Sequence, residues 1–249
     1  MHSSVSIDDF EGFVLATSVA KTADDLFSLL ISVLEKKGYD RVIFSIVNDR
    51  DLTPEGRTLG VFHNYPKDWQ QYYAEKQFER IDPVIKYGAI CSQPFRWDDL
   101  ISSMKLSQKQ INFFAQSQDA GLYNGVAIPI RGNRAQLSGM AIASSVKIDA
   151  CDHRLDLINA YCQQFFLCYK RLFVQESFPS QISGELLSPK EEEILTWAAN
   201  GKTDEEIAII LGISRHTVDT HMRHIFQKLD VTNRIQGVVK AIMMGMINP

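Results

Sequence analysis

The sequence predicts an α+β protein, in which an N-terminal α-β-α sandwich around an antiparallel sheet precedes an all-α domain of four helices. Three observations lead to this prediction. Helical periodicities alternate with short runs of β-branched and aromatic residues over residues 1–174, whereas residues 187–249 are helical almost throughout. Between them, residues 175–186 are polar, contain Pro, Gly and Ser and lack periodicity, which is typical of a linker.

Helices and strands are mixed in the predicted first domain. Apolar residues at helical spacing predict helices over 10–37, 66–90, 107–119 and 149–175, the second of which is broken at Asp82-Pro83. Strands are predicted over 41–48, 58–64, 125–131 and 136–146. Turn residues around Pro54 join the first two strands, and Gly132-Asn133 turns the last two into a hairpin. This mixture predicts helices on both faces of one sheet.

The composition excludes several classes of protein. A net charge of −4 over 249 residues excludes a polybasic nucleic-acid coat. The four cysteines (Cys91, Cys151, Cys162 and Cys168) form no C-x-x-C pair and no zinc-type spacing. The N-terminus lacks a basic segment before an apolar one, and no apolar stretch is long enough to span a membrane. We therefore expect a cytoplasmic protein with reduced thiols, without a cofactor, a metal ion or membrane contact.

Capping residues divide the predicted second domain into helices. Ser188 with Pro189 begins the first helix, and Thr203 with Glu206 forms a capping box for the second. Gly212 permits a tight turn, after which Ser214 caps a third and longer helix. A short helix, a three-residue turn and a longer helix are typical of a helix-turn-helix, although a plain helical bundle would show the same caps.

The third helix has an apolar and a polar side. Val218, Ile225 and Leu229 are predicted to face inward, and the second helix to bury Ile207, Ala208, Ile210 and Leu211. The outward positions of the third helix are Arg215, His216, Asp219, Thr220, Arg223 and Gln227. Residues 213–240 hold five bases and two acids, a local charge of +3 that suits contacts with DNA phosphates.

The string over 187–249 resembles the LuxR-type (GerE-like) DNA-binding domain. The matching segments are L-S-P-K-E at 187–191, W-A-A-N-G-K-T at 197–203, E-I-A-I-I-L-G-I-S at 206–214, T-V at 217–218, His221, K-L at 228–229 and N-R at 233–234. The resemblance implies phosphate contacts by Lys202, Thr203, Arg215, Thr217 and Lys228 and contacts of Arg223 with base edges. Ser214, Asp219 and Thr220 complete the expected DNA-binding set, with Asp219 replacing a base-reading residue of some relatives.

The last predicted helix, about 235–246, presents Val238, Ile242 and Met246 on one face. The resemblance implies that this helix pairs two DNA-binding domains. Packing of the same residues in the domain's own core is an equally good interpretation.

Relatives of this DNA-binding module carry different sensors, and residues 1–174 exclude two of them. The β/α order of a phosphoacceptor receiver and the P-loop of an ATPase are both absent. Present instead are N-Y-P-K-D-W-Q-Q-Y-Y at 64–73, I-D-P-V at 81–84 and P-F-R-W at 94–97. Together with Gly121 and Pro129, these segments resemble the autoinducer-binding domain of LuxR-type quorum sensors, which read N-acyl homoserine lactones.

The residue types suit such a ligand. A buried Asp82 carboxylate can accept the amide N–H, the Trp69 indole can donate to the lactone carbonyl, and the Tyr65 phenol can donate to the amide carbonyl. Tyr73 and Trp97 are expected to form apolar walls. Candidate contacts with the acyl tail are Phe44, Ile46, Val61, Phe78, Val84, Phe113 and Met140. Ala141 and Ala143 stand where many relatives have Ser or Thr near the amide carbonyl.

These features predict a quorum-sensing transcription regulator that binds a lactone, forms a homodimer and reads an inverted-repeat site in double-stranded DNA. RNA polymerase is a candidate partner. The alternatives are a regulator that is independent of lactones or senses another small molecule, and an enzyme acting on the lactone. The enzyme would need a metal-binding or nucleophilic constellation that the scattered histidines do not provide. We expect His221 and His224 to face DNA or solvent rather than to bind a metal ion.

Overall fold

A computed structural model describes residues 9–49, 52, 58–132, 136–147, 154–173 and 187–249 of the chain. These residues divide into two compact units, one drawn from residues 9–173 and the other from residues 187–249. Four expectations from the sequence lie outside the described residues: the linker at 175–186, the turn around Pro54, the hairpin tip at Asn133 and the thiol of Cys151.

The first unit is built on an antiparallel sheet, in which five strands of the described residues pair in the order β2-β1-β5-β4-β3. Their bounds are β1 (Arg41–Asn48), β2 (Thr58–His63), β3 (Phe95–Arg96), β4 (Tyr123–Arg131) and β5 (Leu137–Ser144). The two predicted strands and the predicted hairpin are all present. The sequence does not reveal β3, because two residues are too few to show alternation.

One face of the sheet is covered by α1 (Phe10–Val19), α2 (Ala23–Glu35) and α7 (Leu155–Phe173). The helical stretch predicted over 10–37 is two helices, because the Thr22 hydroxyl caps α2 by accepting the backbone N–H of Asp25 at 3.1 Å. The rings of Phe44 in β1 and Phe165 in α7 meet edge to face with 5.4 Å between their centroids. This side of the sheet is the larger apolar core.

The opposite face carries shorter helices: α3 (Lys67–Glu75), α4 (Pro83–Gly88), α5 (Trp97–Ser103) and α6 (Gln108–Asp119). Gln77 adopts a left-handed conformation (φ 51°) after α3, and a 3₁₀ turn over Phe78–Arg80 leads to α4. Asp82 then caps α4, which confirms the predicted break at Asp82-Pro83. The helices on both faces confirm the predicted α-β-α sandwich.

The second unit, residues 187–249, consists of α8 (Pro189–Ala199), α9 (Asp204–Leu211), α10 (Arg215–Lys228) and α11 (Arg234–Met243). The predicted caps at Ser188, Thr203 and Ser214 are all present. The prediction that Ile210 is buried was wrong: its side chain is exposed, because the single core-facing side of α9 is occupied by Ile207 and Ala208. Within the described part of the chain, no helix combines the length and apolar character needed to cross a membrane.

Candidate functional site

A cavity of about 630 Å³ lies between the sheet and the shorter helices of the first unit. Eight of the nine predicted ligand-binding residues line it: Tyr65, Trp69, Tyr73, Asp82, Val84, Trp97, Phe113 and Ala141. The ninth, Ala143, is fully buried in the same layer but does not line the cavity. Residues that lie far apart in the sequence are thus brought to one site.

Asp82 is a buried carboxylate with two structural hydrogen bonds. One oxygen, Oδ1, accepts the backbone N–H of Val84 at 2.7 Å and so caps α4, while Oδ2 accepts the hydroxyl of Tyr73 at 2.9 Å. Pro83 follows at the first position of α4, where its fixed φ suits a helix start. These contacts fix the orientation of the carboxylate in the cavity wall, and a carboxylate has further lone pairs with which to accept a ligand N–H.

Tyr65 enters the cavity immediately before α3. Its hydroxyl donates to the backbone carbonyl of Ala141 in β5 at 3.1 Å. Burial and the nearby negative charge of Asp82 both raise the pKa of the Tyr65 phenol. The phenol therefore remains protonated and serves as a hydrogen-bond donor across the physiological range.

Aromatic rings surround this polar pair. Three rings pack together with their centroids 5.3–6.0 Å apart: Trp69 of α3, Phe78 of the 3₁₀ turn and Phe113 of α6. The centroid of the Tyr73 ring lies 6.1 Å from that of Phe113. Such rings exclude water from the carboxylate and provide flat apolar walls for a ligand.

Trp97 begins α5 and closes one side of the cavity. Its indole ring lies directly over Gly125 of β4, where a Cβ atom would stand 1.9 Å from the ring. The indole N–H is buried and has no acceptor among the described residues. The expected role of Trp97 as an apolar wall agrees with this position.

Only some of the residues predicted to contact an acyl tail lie at the cavity. Val84, Phe113 and Met140 line the cavity, and Phe78 packs against Phe113. The predictions for Phe44, Ile46 and Val61 were wrong: none lines the cavity, and all three belong to or pack against the core on the opposite face.

Successive side chains of a strand point to opposite faces of the sheet, and this alternation identifies the residues that sequence reasoning missed. Val42, Phe44 and Ile46 belong to the larger core, so Ile43, Ser45 and Val47 of the same strand face the cavity. The Ser45 hydroxyl accepts the backbone N–H of Gly60 at 3.0 Å. Choosing the correct face required knowing which helices cover each side.

The second unit contains the expected helix-turn-helix, formed by α9 and α10. Gly212 ends α9 in a left-handed conformation (φ 64°), and the Ser214 hydroxyl accepts the backbone N–H of Thr217 at 3.0 Å to begin α10. Thr203 and Glu206 form the predicted capping box of α9. These caps fix the start of α10, whose polar side carries most of the predicted DNA-contacting residues.

Several predicted DNA contacts form exposed ion pairs. The guanidinium of Arg215 lies 2.8 Å from Glu205, and that of Arg223 lies 2.8 Å from Asp219. Lys202 lies 3.6 Å from Glu206. Exposed pairs of this kind contribute at most about 1 kcal/mol, so the cations can be exchanged for DNA phosphates at little cost. Thr217 and Thr220 lie half-buried on the same helix.

Lys228 differs from these residues because its partner is buried. Its ammonium lies 2.9 Å from Glu191 of α8, whose side chain is 4% exposed. Burial alone would raise the pKa of Glu191, but hydrogen bonds from the Ser188 backbone and from Lys228 outweigh it and lower the pKa. This pair joins the first helix of the unit to the end of α10.

The last helix divides its apolar residues between two sides. Val238 and Met246, two of the three residues predicted on one face, pack against the core of the unit. Ile235, Val239 and Ile242 are 76%, 49% and 43% exposed and follow one another at i, i+4 and i+7 on one stripe. Core packing therefore accounts for part of this helix, and the pairing of two domains through it stays a prediction.

Comparisons with known proteins give consistent results for both units. A family model described as "Autoinducer binding domain" matches residues 22–168, and one described as "Bacterial regulatory proteins, luxR family" matches residues 185–241.

Curated relatives and solved structures match over nearly the whole chain. The transcriptional activator VanR of Vibrio anguillarum is 31% identical over 91% of this chain and 92% of its own length, and AnoR of Acinetobacter nosocomialis is 28% identical over 95% and 98%. The structure of Escherichia coli SdiA is 23% identical, covers 97% of this chain and 100% of its own, and has a TM-score of 0.60. A second SdiA structure, in complex with octanoyl-rac-glycerol, gives 0.59 at 21% identity, with 96% of each chain covered.

These matches concern transcription regulators rather than enzymes. The chain belongs to the LuxR family of bacterial transcriptional regulators, with an autoinducer-binding domain followed by a LuxR-type DNA-binding domain.

Proposed function

We propose that this regulator binds an N-acyl homoserine lactone in the cavity of its first unit and, in response, binds an inverted-repeat promoter site as a homodimer. The observation that carries the proposal is the buried Asp82 carboxylate, fixed by the Val84 N–H and the Tyr73 hydroxyl in a cavity wall rich in aromatic rings. A buried charge in such a wall favours a ligand with a hydrogen-bond donor next to apolar groups. An acyl amide beside a hydrocarbon tail has this character.

Three polar groups of the site match the head of the ligand. The Asp82 carboxylate accepts the amide N–H, and the Trp69 indole donates to the lactone carbonyl. The Tyr65 hydroxyl, which donates to the Ala141 carbonyl in this structure, donates to the amide carbonyl instead when the ligand is bound. Because each group is buried, a ligand that lacks its partner atom leaves a polar group unsatisfied.

The acyl tail occupies the apolar part of the cavity. Ala127 and Ala141 leave room next to the sheet, and Val84, Phe113 and Met140 provide apolar contacts. The methyl groups of Ala141 and Ala143 cannot donate hydrogen bonds, so the Tyr65 phenol is the donor that serves the amide carbonyl at this place.

DNA recognition is assigned to α10. The polar side of α10 enters the major groove, where Arg223 leaves Asp219 to contact a base edge and Arg215 leaves Glu205 to contact a phosphate. Lys202, Thr203, Ser214, Thr217, Thr220 and Lys228 complete the proposed contact surface. A two-fold dimer held by the exposed stripe of α11 would place two such helices on an inverted repeat.

The test is thermal unfolding of the purified chain with a series of acyl homoserine lactones of increasing tail length. A ligand that binds only the folded state raises the unfolding midpoint. Asp82→Asn preserves an oxygen for the α4 cap but presents an N–H₂ group to the ligand amide, so this variant should remain folded and lose the shift. Trp69→Phe keeps an aromatic ring but removes the indole N–H donor, and this variant should show a smaller rise in the unfolding midpoint.

The panel also includes octanoyl-rac-glycerol, an acyl compound without a lactone that is bound in the SdiA complex. If lactones produce no shift and octanoyl-rac-glycerol does, the regulator senses a different small molecule. An equal lactone shift in the unmodified chain and in Asp82→Asn would contradict the proposed role of Asp82.

A further inference from the structure

Three potential metal ligands meet in the second unit. Glu191 of α8 lies beside His221 and His224 of α10, and one ligand atom from each side chain lies within 4.8 Å of the others. The two histidines are separated by three positions, which places both imidazoles on one side of the helix. The sequence did not predict this cluster, because Glu191 is thirty residues away and belongs to a different helix.

The Glu191 carboxylate is held in place through its Oε2 atom. Oε2 accepts both the Ser188 N–H at 2.7 Å and the Lys228 ammonium at 2.9 Å. Both of these contacts fall on Oε2, so Oε1 is the oxygen that we assign to a metal ion. A monodentate carboxylate needs only one such oxygen to bind a metal ion.

His221 provides an independent indication. Its Nδ1 atom is buried and has no hydrogen-bond partner within the part of the chain that the structure describes. A buried polar atom without a partner is costly, and such atoms often indicate an ion or a water molecule at the site. His224 is exposed and lines a small cavity together with Glu191, so an ion can enter from solvent.

We propose that Glu191, His221 and His224 bind one divalent transition-metal ion of the Zn²⁺, Co²⁺ or Ni²⁺ class. Two imidazoles and one carboxylate are a donor set that these ions accept, with water at the remaining positions. Ligand atoms about 2.1 Å from a shared ion are at most about 4.2 Å apart. Rotation of the exposed His224 side chain can shorten its distances to the Glu191 and His221 ligand atoms.

Lys228 limits the affinity of the site. Its ammonium remains on Oε2 while the ion binds Oε1, and the repulsion between the two cations makes this site weaker than a closed structural zinc site. The ion joins α8 to α10, the helix that carries the proposed DNA contacts. Binding therefore stabilises the folded second unit and restrains α10.

The test is titration of the full-length chain with Co²⁺, monitored by calorimetry and by visible absorption. The unmodified chain should bind one ion at this site and show d–d bands without a thiolate charge-transfer band. His224→Ala removes an exposed ligand and leaves the core intact, and it should weaken this binding by at least about tenfold. The matched control is His216→Ala, an exposed histidine on the same helix outside the cluster.

The proposal is overturned if the unmodified chain fails to bind Co²⁺. It is also overturned if His224→Ala binds as tightly as the unmodified chain, or if the absorption reveals cysteine ligands. Near-equal losses of Co²⁺ affinity in His224→Ala and His216→Ala would likewise contradict the proposal, because only His224 belongs to the cluster.

Discussion

Gly125 lies where the structure leaves no room for a side chain. The ring of Trp97 lies where a Cβ would stand, at 1.9 Å, so Gly125→Ala must push Trp97 out of the cavity wall. Overpacking of this kind costs about 1–3 kcal/mol. We expect a lower free energy of unfolding for the first unit and a smaller lactone-induced rise in its midpoint, both measurable by thermal and urea denaturation.

Gly88 provides the matched control. It lies in α4, it also lines the cavity, and a Cβ added there meets nothing within 4 Å. Gly88→Ala should therefore stabilise the helix by about 0.5–1 kcal/mol. Equal effects of the two substitutions would show that the contact between Gly125 and Trp97 does not shape the cavity.

The ion pair of Glu191 and Lys228 gives a second prediction for single residues. Lys228→Met leaves a buried carboxylate uncompensated, so we expect the second unit to lose about 3 kcal/mol of stability at neutral pH. Changing both residues, in Glu191→Gln with Lys228→Met, removes both charges and should recover most of this loss in urea denaturation. If the double variant is as unstable as Lys228→Met, the loss comes from packing of the lysine side chain.

The same pair makes stability depend on pH. Because the folded pKa of Glu191 lies below its ordinary value of 4.5, its ionised form contributes stability above that value. This contribution is lost as the pH falls through the folded pKa. Glu191→Gln should therefore flatten the acid side of the stability profile of the second unit, and an unchanged profile would contradict the assignment.

The exposed stripe of α11 yields a prediction for a whole helix. Ile235, Val239 and Ile242 project from the domain core, so Ile242→Glu should leave the helix folded while placing a charge in the proposed dimer contact. We expect a shift from dimer to monomer in analytical ultracentrifugation, with loss of binding to an inverted repeat. Ile209→Glu, at an 81% exposed position on α9, is the control that should leave the dimer intact. A dimer that survives Ile242→Glu would place the contact elsewhere.

Elements with clear periodicity could be predicted from the sequence, and those without it could not. The runs at 41–48 and 125–131 alternate or are β-rich enough to identify strands, and the caps at Ser188, Thr203 and Ser214 identify helix starts directly. Periodicity alone does not say which side of a strand faces which layer. For this reason the prediction of Phe44 as a cavity residue is wrong. Phe44 packs against Phe165 in the opposite layer.

The candidate site depends on the assembly of the whole first unit. Tyr65, Asp82 and Ala141 come together only because α3, α4 and β5 meet at one face of the sheet, and the resemblance to the autoinducer-binding domain anticipated this meeting. Short-range pattern could not have revealed the pairing of Trp97 with Gly125 or of Glu191 with His221. Such contacts join residues that are distant in sequence and depend on how layers and helices pack.

If the proposed lactone binds in the cavity, the cavity's volume should set the range of tail lengths that fit. Each methylene group moved from water into the apolar part of the cavity contributes about 0.8 kcal/mol, which corresponds to about a fourfold tighter Kd. Calorimetric titration with lactones of increasing tail length should follow this slope until the 630 Å³ are filled, and affinity should then fall because a longer tail must displace packed side chains. Ala127→Leu, which fills space beside the sheet, should move the optimum to shorter tails and leave the slope unchanged below it. A Kd that is independent of tail length would show that the tail lies outside this cavity.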